Sequence, residues 1–144
     1  MTASNTVWQG AGRRIHMQEV GTRDGLQMEQ AFVSTEDKIT LVNALSNAGL
    51  SKIEVTSFTS PTAIPALKDA EIVMREITRR PGTVYSALVP NVRGAERAIE
   101  ARTDELNLVM SASETHNISN LRMTREQSFA SLAQVVSNEK EKWF

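Results

Sequence analysis

Cysteine is absent from the 144 residues, which excludes disulfides, thiolate metal centres and a cysteine nucleophile. A charge imbalance is missing too. Sixteen basic against seventeen acidic residues leave a net charge of -1, without the global field that marks a nucleic-acid or membrane-surface partner. No apolar run approaches the roughly 20 residues of a membrane span, and the opening MTASNTVWQGAG lacks the apolar core of a signal peptide. The default expectation is therefore a cytoplasmic protein with no nucleic-acid or membrane partner. The phosphate-cradling glycine motifs G-x-G-x-x-G and G-x-x-x-x-G-K-[ST] are missing, and so is the hydrolase elbow G-x-S-x-G.

What is present is an alternation of strand-like and helix-like stretches in a chain of ordinary single-domain size. Residues 14–20, RIHMQEV, read as a short strand closed by Gly21. A helix follows, with Ser34 or Thr35 as its N-cap, Glu36 and Asp37 in its first turn and Gly49 at its end. Its apolar face is expected to hold Ile39, Val42 and Leu45, flanked by Leu41, Ala44 and Ala48. Residues 51–58 read as a strand, 66–80 as a helix, 83–90 as a strand, 93–101 as a helix and 105–113 as a strand. A polar loop is expected through Asn120, then a helix over 124–136 capped by Thr124. The ending SNEKEKWF breaks the helical pattern.

Four strand-then-helix units point to an α/β protein with parallel strands, since a helix supplies the crossover that parallel neighbours need. A doubly wound sheet and half of an eight-unit barrel both fit. In either, the loops after the strands form the functional face. That rule gathers Arg23, Asp24 and Gln27 after the first strand, Glu54, Thr56, Ser57 and Ser60 from the second, Asn91 from the third, and Ser111, Ser113, Glu114 and His116 from the fourth. Asp24 is an oxygen ligand suited to Mg²⁺ or Mn²⁺, and Arg23 suits an oxyanion. An isolated Arg-Asp-Gly is also an ordinary turn, with Gly25 as its turn glycine. Glu54 lies inside the apolar KIEVTSF and needs either solvent or a buried partner.

The segments VGTRDGLQ, NALSNAGLSKIEVTSF, SPTAIPAL, LVPNVRGAERAIEA and SASETHNISNLRMTREQSF occur in that order. Together they resemble the amino-terminal half of the 3-hydroxy-3-methylglutaryl-CoA lyases, barrel metallolyases related to the isopropylmalate and homocitrate synthases. RDGLQ, in place of RDGEQ, places the resemblance in the lyase branch. It implies the amino-terminal half of a TIM (β/α)₈ barrel, with an extension at 1–13, a partial lyase domain at 14–137 and an irregular tail at 138–144 that would mark a truncation. It also implies cleavage of 3-hydroxy-3-methylglutaryl-CoA to acetyl-CoA and acetoacetate, in leucine catabolism and ketone body metabolism, with Mg²⁺ or Mn²⁺ as cofactor.

By resemblance, Asp24 is the metal ligand, Arg23 stabilises the enolate oxygen, Gln27 lines the site, Glu54 supports the arginine, and Ser57 lies close to the acyl group. The resemblance also implies a histidine pair H-x-H, an asparagine ligand and a glycine-rich loop with a reactive cysteine, and this chain holds none of them. Only half a site is therefore expected. A half-barrel exposes sheet edges, so a homo-oligomer or a marginally folded chain is expected as well. Two alternatives stand beside this reading: a lyase for another 3-hydroxyacyl-CoA, and a non-catalytic half-barrel that assembles with another chain.

Overall fold

The computed structural model describes residues 16–143. The expected extension at 1–13 lies outside them, as do Arg14 and Ile15 of the first expected strand. Four strands form one parallel sheet: β1 (Gln18–Glu19), β2 (Lys52–Ser57), β3 (Val84–Val89) and β4 (Glu105–Leu108). Their order across the sheet is their order in the chain. A doubly wound sheet would reverse its order at a switch point, so the strand order itself favours barrel-type progression. β1 and β4 are the edges.

Five α-helices accompany the sheet: α1 (Thr35–Asn47), α2 (Ala70–Glu76), α3 (Val92–Glu100), α4 (Glu114–Leu121) and α5 (Arg125–Trp143). One core joins four of them to it. Ile53 and Val55 of β2 and Tyr85, Ala87 and Val89 of β3 pack against Val42, Val73, Met74, Ala95, Ala98 and Val135 from α1, α2, α3 and α5. No helix among the described residues is long and apolar enough to cross a membrane.

Ser34 caps α1 by accepting the Asp37 amide, and Gly49 follows the helix at φ +85°, where a side chain would be strained. The buried stripe of α1 is narrower than its sequence suggests, because Leu41, Ala44 and Ala48 are exposed. The helix expected at 66–80 is shorter. A 3₁₀ turn over Pro65–Leu67 precedes α2, and Ile77 turns extended after Glu76, which frees Arg79 to reach the Met74 and Arg102 carbonyls.

Two corrections concern the carboxyl-terminal third. The expected polar loop at 114–120 is α4, with Ser113 accepting the His116 amide as its N-cap, and β4 stops at Leu108 instead of running to 113. The tail expected to be irregular from residue 138 is helical in its backbone through Trp143, as the last part of α5.

α1 is tied to the segment after β2 by a buried ion pair. Lys38 Nζ donates to Asp69 Oδ1 at 2.7 Å and to the Ala66 carbonyl at 2.6 Å, while Thr35 donates to Asp69 Oδ2 at 2.8 Å. Lys38 and Asp69 are both almost fully enclosed. Removing one partner leaves the other charge buried alone, which costs about 3–5 kcal/mol, whereas replacing both by apolar groups is often neutral. Lys38→Met is therefore expected to be far more destabilising in urea unfolding than the double variant Lys38→Met/Asp69→Leu. Equal losses would show that the pair is not the source.

A second ion pair fixes the wall after β2. Arg97 donates from Nε to Glu71 Oε1 at 2.5 Å and from Nη1 to the Thr59 carbonyl at 3.0 Å. Gly94 lets α3 come this close, since a Cβ there would stand 2.7 Å from the Phe58 carbonyl oxygen. Burial raises the Glu71 carboxyl pKa, but the Arg97 hydrogen bond, a backbone hydrogen bond and the charges of Arg97 and Arg75 outweigh it and leave the group below its ordinary 4.5. A carboxyl lowered on folding stabilises the fold fully above its unfolded value, and that contribution is lost as pH falls through the folded one. The melting-temperature gap between the unsubstituted chain and Glu71→Gln should be full above pH 4.5 and close in acid. A gap that stays constant on acidification would contradict this.

Candidate active site around Glu54

The first βα connection is built differently from the turn its sequence suggests. Gly21–Gly25 forms a π-helical turn whose Arg23 and Asp24 amides both donate to the Val20 carbonyl, at 3.0 and 2.7 Å. Positive φ among the described glycines occurs at Gly49 and Gly82, so Gly25 does not supply the left-handed angle that the ordinary-turn alternative would give it. The turn is held to β2 by Thr22, which is buried and donates to the Glu54 carbonyl oxygen at 2.7 Å. This presents Arg23 to the sheet.

Glu54 faces the side of the sheet opposite the helix-packed core. Its register partner is Ser86, between the core residues Tyr85 and Ala87, and a register shift before Thr56 then sets Ser57 opposite Leu88. Without that shift Glu54 and Ser57 would lie on opposite faces; with it they share one. Glu54 is only 5% exposed, so its carboxylate requires partners. It has three. Arg23 Nε donates to Oε1 at 2.5 Å, and Asn107 Nδ2 and Gln18 Nε2 donate to Oε2 at 2.8 and 3.2 Å.

Arg23 continues the chain of charges outward, donating from Nη1 to Asp24 Oδ1 at 2.6 Å. No described residue accepts a hydrogen bond from its Nη2. Asp24 is 62% exposed at the side chain, whereas Arg23 is 17% exposed. The arrangement is a guanidinium locked by a buried carboxylate behind it and flanked by a solvent-facing one. Such a group can stabilise an oxyanion brought to its open edge.

The other expected site residues do not join the hydrogen bonds of Glu54 and Arg23. Gln27 lines a separate groove with Phe32, Ala63, Pro65 and Lys68. Ser57 is buried and pairs with Thr59 Oγ1 at 3.1 Å. Asn91 is the N-cap of α3, accepting the Gly94 amide at 2.9 Å, and Glu114 accepts from Arg125. Gln18, Thr22, Ser86 and Asn107 carry the network around Glu54 but were not singled out from the sequence. A signal for three members was present: Glu54, Ser86 and Asn107 each interrupt an apolar strand in a parallel sheet.

Among the described residues no three of His, Asp and Glu gather as metal ligands. Asp24, the expected ligand, supplies one carboxylate that already holds Arg23. The residues present therefore do not fit a divalent cation, which requires several oxygen ligands in near-octahedral array.

Comparison with known proteins agrees with the strand order. The chain is 50% identical over 123 residues to a hydroxymethylglutaryl-CoA lyase of Bacillus subtilis (strain 168), covering 85% of itself and 41% of that protein. It is 40% identical over 129 residues to a cytoplasmic 3-hydroxy-3-methylglutaryl-CoA lyase of Mus musculus, covering 90% of itself and 38% of that protein. Its fold matches an HMG-CoA lyase structure from Acinetobacter baumannii, in complex with coenzyme A and 3-methylmalate, with TM-score 0.85 and 53% identity, over 87% of this chain and 41% of the other. The Bacillus subtilis HMG-CoA lyase structure matches with TM-score 0.86 and 48% identity, over 90% and 43%.

These neighbours are TIM barrels, and this chain has the architecture of a half-barrel spanning about two fifths of the relatives it matches. The HMGL-like family model matches residues 14–142, and with four β/α units in barrel order the chain belongs to the HMGL-like family.

Proposed function

We propose that this chain carries part of the active site of a carbon–carbon lyase that cleaves 3-hydroxy-3-methylglutaryl-CoA to acetyl-CoA and acetoacetate. The observation that carries this reading is the Arg23 guanidinium, locked by Glu54 and Asp24, with no described residue accepting from its Nη2. In the reaction the tertiary hydroxyl loses its proton, the adjacent carbon–carbon bond breaks to leave the acetoacetate ketone, and the electron pair passes to the acetyl-CoA enolate, which is then protonated. Arg23 meets the developing enolate oxygen. Glu54 holds Arg23 in place, and the reading also takes Gln27 as lining the site and Ser57 as close to the acyl group. Coenzyme A in the related complex supports an acyl-CoA substrate.

Mg²⁺ or Mn²⁺ belongs to this reading through Asp24 alone, and the remaining ligands must come from residues other than those described. The reading also takes residues 14–137 as one lyase domain, with leucine catabolism and ketone body metabolism as its setting. A cytoplasmic location draws on the name of the mouse relative. A non-catalytic half-barrel that assembles with itself or another chain is the second reading, favoured by the open edges at β1 and β4.

Acetoacetate release from 3-hydroxy-3-methylglutaryl-CoA, with Mg²⁺ or Mn²⁺ and a chelator control, separates the two. The isolated chain is expected to be inactive, and a fusion to the remaining barrel units of the Bacillus relative active. A soluble, folded but inactive fusion would favour the non-catalytic reading. In that fusion, Arg23→Lys keeps the charge but loses the planar donor fork, so turnover should fall about 10²–10³-fold. Near-normal turnover would remove the enolate role from Arg23.

A further inference from the structure

The two oxygens of Glu54 have separate tasks. Oε1 faces Arg23, whereas Oε2 accepts from Asn107 at 2.8 Å and from Gln18 at 3.2 Å. The last torsion of a glutamate is broad and two-fold, so one bond at Oε1 does not fix the plane of the carboxylate. A second anchor on Oε2 does.

Of the two amides, Asn107 is the better placed. It gives the shorter bond and lies on β4, which pairs with β3 at Glu105, Leu106, Asn107 and Leu108 alike. Gln18 is exposed and sits on a two-residue strand. Asn107 reaches Glu54 across β3, passing within 3.5 Å of Ser86 Oγ, which in turn donates to the Ile53 carbonyl at 3.4 Å. Its donor is also neutral. A cation at this position would compete with Arg23 for the carboxylate charge, whereas an amide orients the group and leaves that charge to Arg23.

We infer that Asn107 is a positioning residue: it clamps Oε2 of Glu54, sets the carboxylate plane and thereby aims the Arg23 guanidinium. Its bearing on carbon–carbon cleavage rests on the function proposed above. The clamp itself stands independently of that reaction.

Nitrogen-15 NMR of the 144-residue chain tests it through solvent exchange of the Arg23 Nε–H. In Asn107→Leu this exchange is expected to quicken about tenfold, the scale of one lost charge-assisted hydrogen bond, while backbone amides of β2 and β3 keep their protection. Asn107→Ala, which removes the amide donor and adds no charge, should behave the same way, and Gln18→Leu should have a smaller effect. Unchanged Arg23 exchange in a folded Asn107→Leu variant overturns the inference. So does a uniform loss of protection across β2 and β3, which would mark a merely structural role.

If Asn107→Leu does not fold, the unsubstituted chain decides. One Asn107 Nδ2 proton should exchange about tenfold more slowly than those of exposed Asn120; equal rates overturn the clamp. Acetoacetate release is a separate readout. An intact clamp in an inactive fusion would sink the functional reading and leave the clamp standing.

Discussion

A carboxylate taken out of water must be answered by donors, and Glu54 imposes that requirement on the whole sheet. It sits in β2 at 5% exposure, and its partners come from β1, the turn that follows β1, and β4. The penalty for an unpaired buried charge is several kcal/mol, a large fraction of the net stability of a small domain. Strand order, the register shift in β2 and the π-helical turn at Gly21–Gly25 can thus be read as parts of one solution. Each brings a donor or removes a conflict. With the Thr22 hydroxyl bound to the backbone of the same residue, the side chain and the main chain of Glu54 are both committed to the first βα turn.

That commitment explains the division of labour between the two faces of the sheet. Ile53, Val55, Tyr85, Ala87 and Val89 turn toward the helices and make a continuous apolar core. Glu54, Ser57, Ser86 and Asn107 turn the other way. A packed apolar face and a hydrogen-bonded polar face are therefore encoded on alternate positions of the same strands, and a one-residue slip would exchange them. The apolar face resists such a slip through packing. The polar face resists it because every hydrogen bond to Glu54 would be lost together.

Much of this was legible in the sequence, where local chemistry decides structure. Ser34 and Gly49 mark the ends of α1 because a cap side chain and a left-handed glycine act within a few residues of themselves. The segment from Ser113 to Leu121 was not legible as a helix. Its serine, threonine and asparagines favour local hydrogen bonds and read as loop, yet Asn117 is buried and uses those groups to bond the Ser111 amide, the Met123 carbonyl and Ser128. Tertiary contacts overrode propensity there. Asn91 shows the converse: a rim polar residue that looks functional is engaged in capping α3.

Arg23, Asp24 and Glu54 were legible because their motif is contiguous or stands out in an apolar strand. Asn107 also interrupts an apolar strand, but its partner, like that of Gln18, depends on cross-strand distances that no single segment contains. The same distinction bears on what the chain lacks. Glu54 has its partners on β1, the turn after it and β4, whereas Asp24 faces solvent at 62% exposure with Arg23 as its only side-chain partner among the described residues. Fixing a guanidinium requires only partners on neighbouring elements, and the described residues supply them for Arg23. Cation binding requires several ligands converging on one point, and among the described residues no three His, Asp or Glu side chains gather in that way.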